Sequence, residues 1–225
     1  MKRITVLLAE DHPVVRAGFR ALLKQERDIE VVGEAATGRQ AVQLTRKLRP
    51  AVVVMDIAMP LLNGLEATRQ ILRDSPDTRV LILSAHGDDA YVERAILLGA
   101  AGFLLKQAAS DNLPTAIREV QKGNSCFSHS ISKRLLDRKQ GSVGRSAQLM
   151  KKTNRLSSRE VEVLQLIAEG KPNKQVAAEL GLTFKTVDKH RQHLMSKLDI
   201  HDLAGLTRYA ISAGIIESNV RVTIT

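Results

Sequence analysis

Carboxylates, a hydroxyl group and an ammonium group follow short hydrophobic runs in the first half of this 225-residue chain. Glu10 and Asp11 follow the first run, Asp56 ends the third, Ser84 ends the fourth, and Lys106 follows the fifth. If these runs are parallel strands, their carboxyl ends meet along one edge of a sheet. Three carboxylates placed that closely repel one another unless a cation lies among them, and Mg²⁺ prefers such oxygen ligands. The pattern predicts phosphoryl transfer to a carboxylate, with the metal ion and the ammonium group neutralising the phosphoryl oxygens.

The elements that must position these side chains alternate along residues 1–125. Short apolar runs rich in Val, Ile and Leu are typical of strands buried on both faces. Stretches of helix length, with apolar residues at helical spacing, lie between them. Five strands that alternate with five helices predict a doubly wound parallel sheet. The predicted strands cover residues 5–9, 30–33, 51–55, 80–84 and 102–105, and the predicted helices cover 14–25, 38–48, 65–74, 90–98 and 111–122.

Residues 126–154 interrupt this pattern and are predicted to form a basic, flexible linker. Ser, Lys, Arg, Gln and Gly dominate the segment, which includes the sequence GSVGRS. Residues 128–154 carry 7 Lys and Arg against 1 Asp, which supplies most of the formal net charge of +10. Such an excess favours an anionic partner such as nucleic acid, and it is also compatible with a merely solvated linker.

Residues 155–217 read as helices throughout, and residues 218–225 are left as a tail. Ser157 followed by Glu160 forms a capping box, which is a typical helix start. A short helix, a turn at Gly181 and a longer helix with a polar face are typical of a helix-turn-helix, although a plain helical bundle fits as well. The first of the four predicted helices ends at Gly170, and the others cover residues 174–180, 184–198 and 202–213.

The composition argues against several other classes of protein. Aromatic residues make up only 3% of the chain and Trp is absent, which argues against a base-stacking platform. Cys126 is the single cysteine, so intramolecular disulfides and a Cys-rich zinc site are excluded and a reducing compartment is expected. No apolar run approaches the 18 residues of a membrane span, and the first apolar run reaches Glu10 too soon for a signal peptide.

Several motifs give the chain a family resemblance. They are VLLAEDHPVVRAGFRALL, VVVMDIAMPLLNGLEATR, LILSAH, GAAGFLLK and LSSREVEVLQLIAEGKPNKQVAAELGLTFKTVDKHRQHLMSKL. Residues 1–125 resemble the receiver domain of two-component response regulators. The whole chain resembles the NarL/FixJ type, which adds a LuxR-type helix-turn-helix. The resemblance implies a flavodoxin-like α/β domain with a five-stranded doubly wound parallel sheet, followed by an all-α, four-helix DNA-binding domain.

The resemblance also implies roles for residues of the first domain. Asp56 is the expected phosphoacceptor, Ser84 the switch hydroxyl, Lys106 the phosphate partner and Phe103 the aromatic switch. Mg²⁺ is expected to bind Asp11 and Asp56 directly, Glu10 through water, and the backbone carbonyl of Ala58. Gln107 stands where many receivers have proline, and we expect a trans bond before it. We also hypothesise that His86 shields the phosphoryl group from water.

In the second domain, the resemblance assigns DNA contacts to the helix over residues 184–198 and its surroundings. Val187, Leu194 and Leu198 form its inward stripe. Asp188 is unusual beside DNA: it either accepts a hydrogen bond from cytosine N4 or pairs with Arg191 on the next turn. Base contacts are expected from Asp188, Lys189 and Gln192, and backbone contacts from Lys174, Thr183, Lys185, Thr186, His190, Arg191 and Lys197.

The expected function is that of a cytoplasmic transcription factor, not an enzyme, whose Asp56 receives a phosphoryl group from a sensor histidine kinase. Phosphorylation is expected to release the DNA-binding domain or to favour homodimers on paired half-sites of promoter DNA. One alternative is a DNA-binding regulator that ignores phosphorylation, which the complete set of acidic, hydroxyl and ammonium groups argues against. The other is a Mg²⁺-dependent phosphotransferase or phosphatase, for which Met59 and Pro60 offer no general acid near Asp56.

Overall fold

The computed structural model describes residues 3–85, 87, 89–127 and 156–216. The chain divides into two compact units, Met1–Ser142 and Val143–Thr225. The hypothesis about His86 therefore falls outside the described residues, as do the tail and all but the first two residues of the predicted linker.

A parallel sheet lies at the centre of the first unit. Its strand order is β2-β1-β3-β4-β5-β6, and every neighbouring pair is parallel. The order reverses direction between β1 and β3, and in such sheets the crevice at the carboxyl ends of these two strands is the usual site of chemistry. The strands are β1 (Ile4–Ala9), β2 (Ile29–Ala35), β3 (Val52–Asp56), β4 (Arg79–Ser84), β5 (Gly102–Leu105) and β6 (Cys126–Phe127).

The prediction of a doubly wound parallel sheet is confirmed, but its strand count was wrong by one. In the described residues the sheet has six strands, because Cys126 and Phe127 pair in parallel with Gly102 and Phe103. Two residues are too few to show either an alternating pattern or a hydrophobic run, and polar residues flank them on both sides. The sequence therefore placed them in the linker, whereas the structure places them in the sheet.

Helices cover both faces of this sheet, because alternate strand residues point to opposite faces. Val53 and Met55 pack in one apolar cluster with residues of α2, α3 and α4, whereas Val52 and Val54 pack in a second cluster with residues of α1 and α5. The sheet is thus buried on both sides, as the apolar runs predicted. The helices are α1 (Pro13–Lys24), α2 (Gly38–Leu48), α3 (Gly64–Asp74), α4 (Asp89–Leu97) and α5 (Lys106–Gln121).

Helix α5 begins earlier than predicted, at Lys106 and not at residue 111. The predicted helix left out residues 106–110, but the alanine-rich turn over these residues favours helix, so α5 follows β5 directly. Lys106 is consequently the first residue of α5, and its position is fixed by the end of β5 directly before it. The described residues contain no cis peptide bond, so the bond between Lys106 and Gln107 is trans, as expected.

Gly64 lets the loop after β3 return closely to the sheet. A Cβ atom at this position would lie 1.8 Å from the carbonyl oxygen of Asp56. The backbone N–H of Gly64 donates to the carbonyl oxygen of Ile57 at 2.9 Å. Asn63 caps α3 by accepting a hydrogen bond from the backbone of Glu66 at 2.8 Å. This loop is held firmly beside Asp56, and a side chain at residue 64 would push it away.

Four helices form the described part of the second unit: α6 (Ser158–Ala168), α7 (Asn173–Leu180), α8 (Phe184–Leu198) and α9 (Leu203–Ser212). The predicted capping box of Ser157 and Glu160 is present at the start of α6. Helix α6 is buried around most of its circumference because α7, α8 and α9 all pack against it. The predicted inward stripe of α8 is confirmed, since Val187, Leu194 and Leu198 are fully buried.

Two glycine substitutions are expected to act in opposite directions on the stability of the first unit. Gly64→Ala should destabilise it by about 2–3 kcal/mol, because the new methyl group meets backbone that cannot move aside. Gly18→Ala is the matched control: no atom lies within 4 Å of a Cβ there. Because residue 18 lies in the interior of α1, Gly18→Ala should stabilise the first unit by about 0.5–1 kcal/mol. Differential scanning calorimetry measures both effects, and equal shifts of the same sign would contradict this description of the loop.

Candidate functional site

The structure brings the predicted chemical groups together at the carboxyl edge of the sheet. Glu10 follows β1, Asp56 ends β3, Ser84 ends β4, and Lys106 follows β5. The first three are buried, with residue exposures of 2%, 1% and 0%. Because these strands are neighbours in the sheet, residues far apart in sequence share one site, as their positions at strand ends predicted.

The Lys106 ammonium group links two of the carboxylates. Its Nζ atom lies 2.8 Å from Oε2 of Glu10 and 2.9 Å from Oδ2 of Asp56. Both carboxylate side chains are almost completely buried, at 3% and 2% exposure. The ammonium group therefore compensates two negative charges at once, and one negative charge remains in excess.

Burial and the excess of negative charge together change the proton affinities of the site. Burial raises the pKa of Asp56 to about 6, and the nearby Glu10 carboxylate raises it as well, although Lys106 partly offsets both effects. Burial alone would lower the pKa of Lys106, but attraction by Asp56 and the hydrogen bonds to both carboxylates raise it. The surroundings of the Asp56 carboxylate thus favour the binding of a further positive charge, either a proton or a cation.

Asp11 and His12 extend the site towards solvent. Nδ1 of His12 lies 2.8 Å from Oδ1 of Asp11 and 3.4 Å from Oε1 of Glu10. Ligand atoms of Glu10, Asp11 and His12 lie within 4.8 Å of one another. His12 was not among the predicted site residues, although its place directly after the acidic pair was a visible signal.

Arg16 holds the acidic loop in place, and it too was absent from the predicted site. Its Nη1 atom donates to the backbone carbonyl oxygen of Glu10, while its Nε atom donates to Oε2 of Glu34 at 3.2 Å. Glu34 belongs to β2, so Arg16 connects α1, the acidic loop and the sheet. Only its position one turn into α1 marked it in the sequence, and an arginine there is commonly a solvated surface residue.

The residues present fit a magnesium ion. Three carboxylate oxygens of the site are buried: Oε2 of Glu10, Oδ1 of Asp11 and Oδ2 of Asp56. Within the described part of the chain, their polar contacts are the ones to Lys106 and His12 given above. Hard carboxylate oxygens of this kind are the ligands that Mg²⁺ prefers. Ala58, whose carbonyl was the further predicted ligand, lies in the loop that Gly64 holds against Asp56.

Ser84 and Phe103 occupy positions consistent with the roles implied by the resemblance. Ser84 is fully buried and pairs with Leu105 in the sheet, one residue before Lys106. Phe103 is also fully buried, in the apolar cluster that contains Tyr91 and Val92 of α4. Ser84 therefore lies on the strand next to that of Phe103, the side chain that packs against α4.

The second candidate interface is the exposed side of α8 and the residues around it. Phe184, at the start of α8, is 58% exposed and was not among the predicted DNA contacts. The predicted DNA contacts differ in accessibility. Lys174, Thr183, Lys185, Lys189, Gln192 and Lys197 are exposed, whereas Thr186, Asp188, His190 and Arg191 are partly buried.

Two of these residues have partners that the sequence did not predict. Asp188 accepts a hydrogen bond from Nε2 of Gln192 at 3.1 Å, one helical turn away. Arg191, which was the alternative partner of Asp188, donates instead to Oδ1 of Asn173 at 3.2 Å. Asn173 is the first residue of α7, so Arg191 takes part in a contact between two helices.

Lys197 is engaged inside the domain. Its Nζ atom lies 2.7 Å from Oε2 of Glu160, and the backbone N–H of Ser157 donates to the same oxygen at 2.7 Å. Burial favours the neutral form of Glu160, but the hydrogen bonds from Lys197 and Ser157 outweigh it and lower the pKa. Lys197 therefore connects the end of α8 to the start of α6, and this contact competes with the predicted contact to DNA.

Comparison with known families agrees with both sites. The model "Response regulator receiver domain" matches residues 6–118, and "Bacterial regulatory proteins, luxR family" matches residues 154–210. The chain belongs to the response regulator family. The predicted NarL/FixJ type, with a receiver and a LuxR-type domain, is confirmed, and this regulator is a DNA-binding transcriptional regulator of two-component systems.

Relatives resemble the regulator over nearly its whole length. It is 40% identical over 207 residues to the transcriptional regulatory protein LiaR of Bacillus subtilis, covering 92% of this chain and 96% of LiaR. A structure of the RcsB response regulator of Salmonella typhimurium is 30% identical, with a TM-score of 0.57 and coverage of 94% of this chain and 100% of that chain. An RcsB–DNA complex is 29% identical, with a TM-score of 0.56 and coverage of 94% and 99%.

The segments described here contain no helix with the length and apolar character needed to cross a bilayer.

In metal-free buffer, Asp56→Asn is expected to stabilise the receiver domain at neutral pH. The folded state raises the pKa of Asp56 from 3.8 to about 6, so stability present below about pH 4 is lost as the pH rises through 6. Removing the charge should restore on the order of 2 kcal/mol at neutral pH and little at pH 4.

Asp28→Asn is the control with the opposite sign. The hydrogen bond from Arg118 lowers the pKa of Asp28 to about 2, so this variant should be less stable than wild type at neutral pH. Urea titrations at several pH values measure both variants. A gain for Asp56→Asn that is independent of pH would show that its cause is not the buried charge.

Proposed function

We propose that Asp56 accepts a phosphoryl group from a phosphohistidine of a sensor kinase, and that this modification controls binding of α8 to promoter DNA. The observation that supports the proposal most directly is the buried Asp56 carboxylate, which shares the Lys106 ammonium group with Glu10. A receiver domain implies a sensor kinase partner, and a LuxR-type domain implies DNA.

In the proposed reaction an Asp56 oxygen attacks phosphorus while the phosphorus–nitrogen bond of the phosphohistidine breaks. The product is an acyl phosphate on Asp56, and the histidine nitrogen retains the electron pair and gains a proton. Lys106 is close enough to neutralise the phosphoryl oxygens as the bond forms. When bound by Asp11, Asp56, the carbonyl of Ala58 and, through water, Glu10, Mg²⁺ supplies further positive charge to those oxygens.

The phosphoryl group changes the electrostatic attraction between Lys106 and the carboxylates of Glu10 and Asp56. It adds nearly two negative charges and three strong acceptor oxygens. Lys106 then has a stronger partner than Glu10, and the Ser84 hydroxyl group becomes a donor to a phosphoryl oxygen. Because Ser84 and Phe103 lie on neighbouring strands, this movement repacks Phe103 and the surface of α4.

On the DNA side, the exposed residues of α8 enter the major groove. Lys189 and Gln192 are exposed, and Asp188 lies beside Gln192. Backbone contacts are assigned to Lys174, Thr183, Lys185, Thr186, His190 and Arg191. For Lys197 we propose a positioning role through Glu160 in place of a phosphate contact, because its ammonium group already has a carboxylate partner. Control through domain release or through homodimer formation on paired half-sites belongs to the same proposal.

The two earlier alternatives predict different behaviour. A regulator that ignores phosphorylation has no need of a buried carboxylate cluster with a shared ammonium group. A phosphotransferase or phosphatase needs turnover, whereas the second matched model describes bacterial regulatory proteins and LiaR is a transcriptional regulatory protein.

DNA binding by the full chain, measured by fluorescence anisotropy with a duplex obtained by selection, tests the proposal. Beryllofluoride with Mg²⁺ mimics the phosphorylated carboxylate, and it should tighten binding of the wild type by about tenfold. Asp56→Asn should not respond. Tight binding by the wild type that is indifferent to beryllofluoride would favour the phosphorylation-independent alternative, and steady release of phosphate from a small phosphate ester would favour the enzyme.

A further inference from the structure

Asp188 and Gln192 form a pair on the accessible side of α8. They are four residues apart, so their side chains lie one turn apart on the same face of the helix. Nε2 of Gln192 donates to Oδ2 of Asp188 at 3.1 Å, with Asp188 partly buried and Gln192 exposed. The exposed Gln192 is therefore available to a ligand, while the partly buried Asp188 holds the Gln192 amide.

The chemistry of the two groups fixes the orientation of the amide. A carboxylate only accepts hydrogen bonds, so Gln192 must present its nitrogen to Asp188 and not its oxygen. The amide nitrogen carries two protons, one of which is donated to Asp188. One N–H group and the carbonyl oxygen Oε1 remain, and these are a donor and an acceptor in a defined order.

Arg191 does not compete for this carboxylate. Nη1 of its guanidinium group donates to Oδ1 of Asn173 in α7 at 3.2 Å, so this group is held against α7. An arginine paired with Asp188 would leave the Gln192 amide able to rotate and to present either end. The contact with α7 thus leaves Asp188 available to Gln192.

The remaining donor and acceptor of Gln192 complement one base. In the major groove adenine offers the N7 acceptor and the N6 amino donor, whereas guanine offers two acceptors, N7 and O6. With its amide fixed, Gln192 would direct Oε1 at the O6 atom of guanine. The Asp188 carboxylate repels the same acceptor atoms. Turning the amide to suit guanine would break the hydrogen bond to Asp188.

We infer that Asp188 is a positioning residue that makes Gln192 select adenine and reject guanine at one base pair of the binding site. The inference rests on the proposed function, in which α8 reads bases in the major groove. It assigns to Asp188 a role in specificity without a base contact of its own.

The test uses the full chain under the conditions that give selective DNA binding. Gln192→Ala first identifies the base pair whose preference is lost. Duplexes carrying each of the four bases at that position are then titrated with wild type and with Asp188→Asn, which has nearly the same shape but an amide of undefined orientation. Wild type should prefer adenine to guanine by about tenfold or more, and Asp188→Asn by about threefold or less.

Lys189→Ala is the matched control, because it alters a polar residue of α8 next to the pair but outside it. It should weaken binding to all four duplexes by a similar factor and leave the adenine preference intact. The double variant Asp188→Asn/Gln192→Ala should show the same base preference as Gln192→Ala alone, since the two residues act through one contact. A merely structural role of Asp188 would lower affinity for every duplex without changing their order.

Two results would overturn the inference. One is an adenine preference in Asp188→Asn equal to that of wild type, and the other is a wild-type preference for guanine at the position read by Gln192. If instead Gln192→Ala changes no preference at any position, or wild type binds all sequences equally, base reading by α8 itself fails and the inference falls with it.

Discussion

The carboxyl edge of the receiver sheet is organised by a shortage of positive charge. Two almost fully buried carboxylates, Glu10 and Asp56, share one ammonium group from Lys106, and the Asp11 carboxylate lies next to them. Burying a charge without a partner is costly, so the two carboxylates need the Lys106 ammonium group beside them, and the surrounding elements hold these groups in place. Helix α5 begins directly at Lys106, Gly64 keeps the loop after β3 close, and Arg16 fixes the backbone at Glu10.

An ion pair also organises the DNA-binding domain, although there the charges balance. Glu160 accepts hydrogen bonds from its own helix start and from Lys197 at the end of α8, 37 residues later. This contact, together with the buried stripe of Val187, Leu194 and Leu198, fixes the rotation of α8 about its axis. The side that remains accessible then carries Lys189 and the Asp188–Gln192 pair. Stability and the proposed DNA recognition thus depend on different faces of one helix.

Much of this arrangement could be predicted from the sequence, because strand ends and helix faces follow from local patterns. Hydrophobic runs located β1 to β5, and the rule for parallel sheets then placed Glu10, Asp56, Ser84 and Lys106 together. Other features depend on contacts that no local pattern encodes. Strand β6 has only two residues, and Arg191 donates not to the nearby Asp188 but to Asn173, 18 residues away. The partner of Lys197 is more remote still, because Glu160 lies 37 residues away, and no local pattern indicates that contact.

The most direct test of the account is the mass of the intact chain after incubation with Mg²⁺ and acetyl phosphate, a small phosphoryl donor. The account predicts that the wild type gains one phosphoryl group, that hydroxylamine removes it because it is an acyl phosphate, and that Asp56→Asn gains none. Equal phosphorylation of Asp56→Asn and wild type, or no phosphorylation of either, would contradict the claim that the buried Asp56 carboxylate is the acceptor.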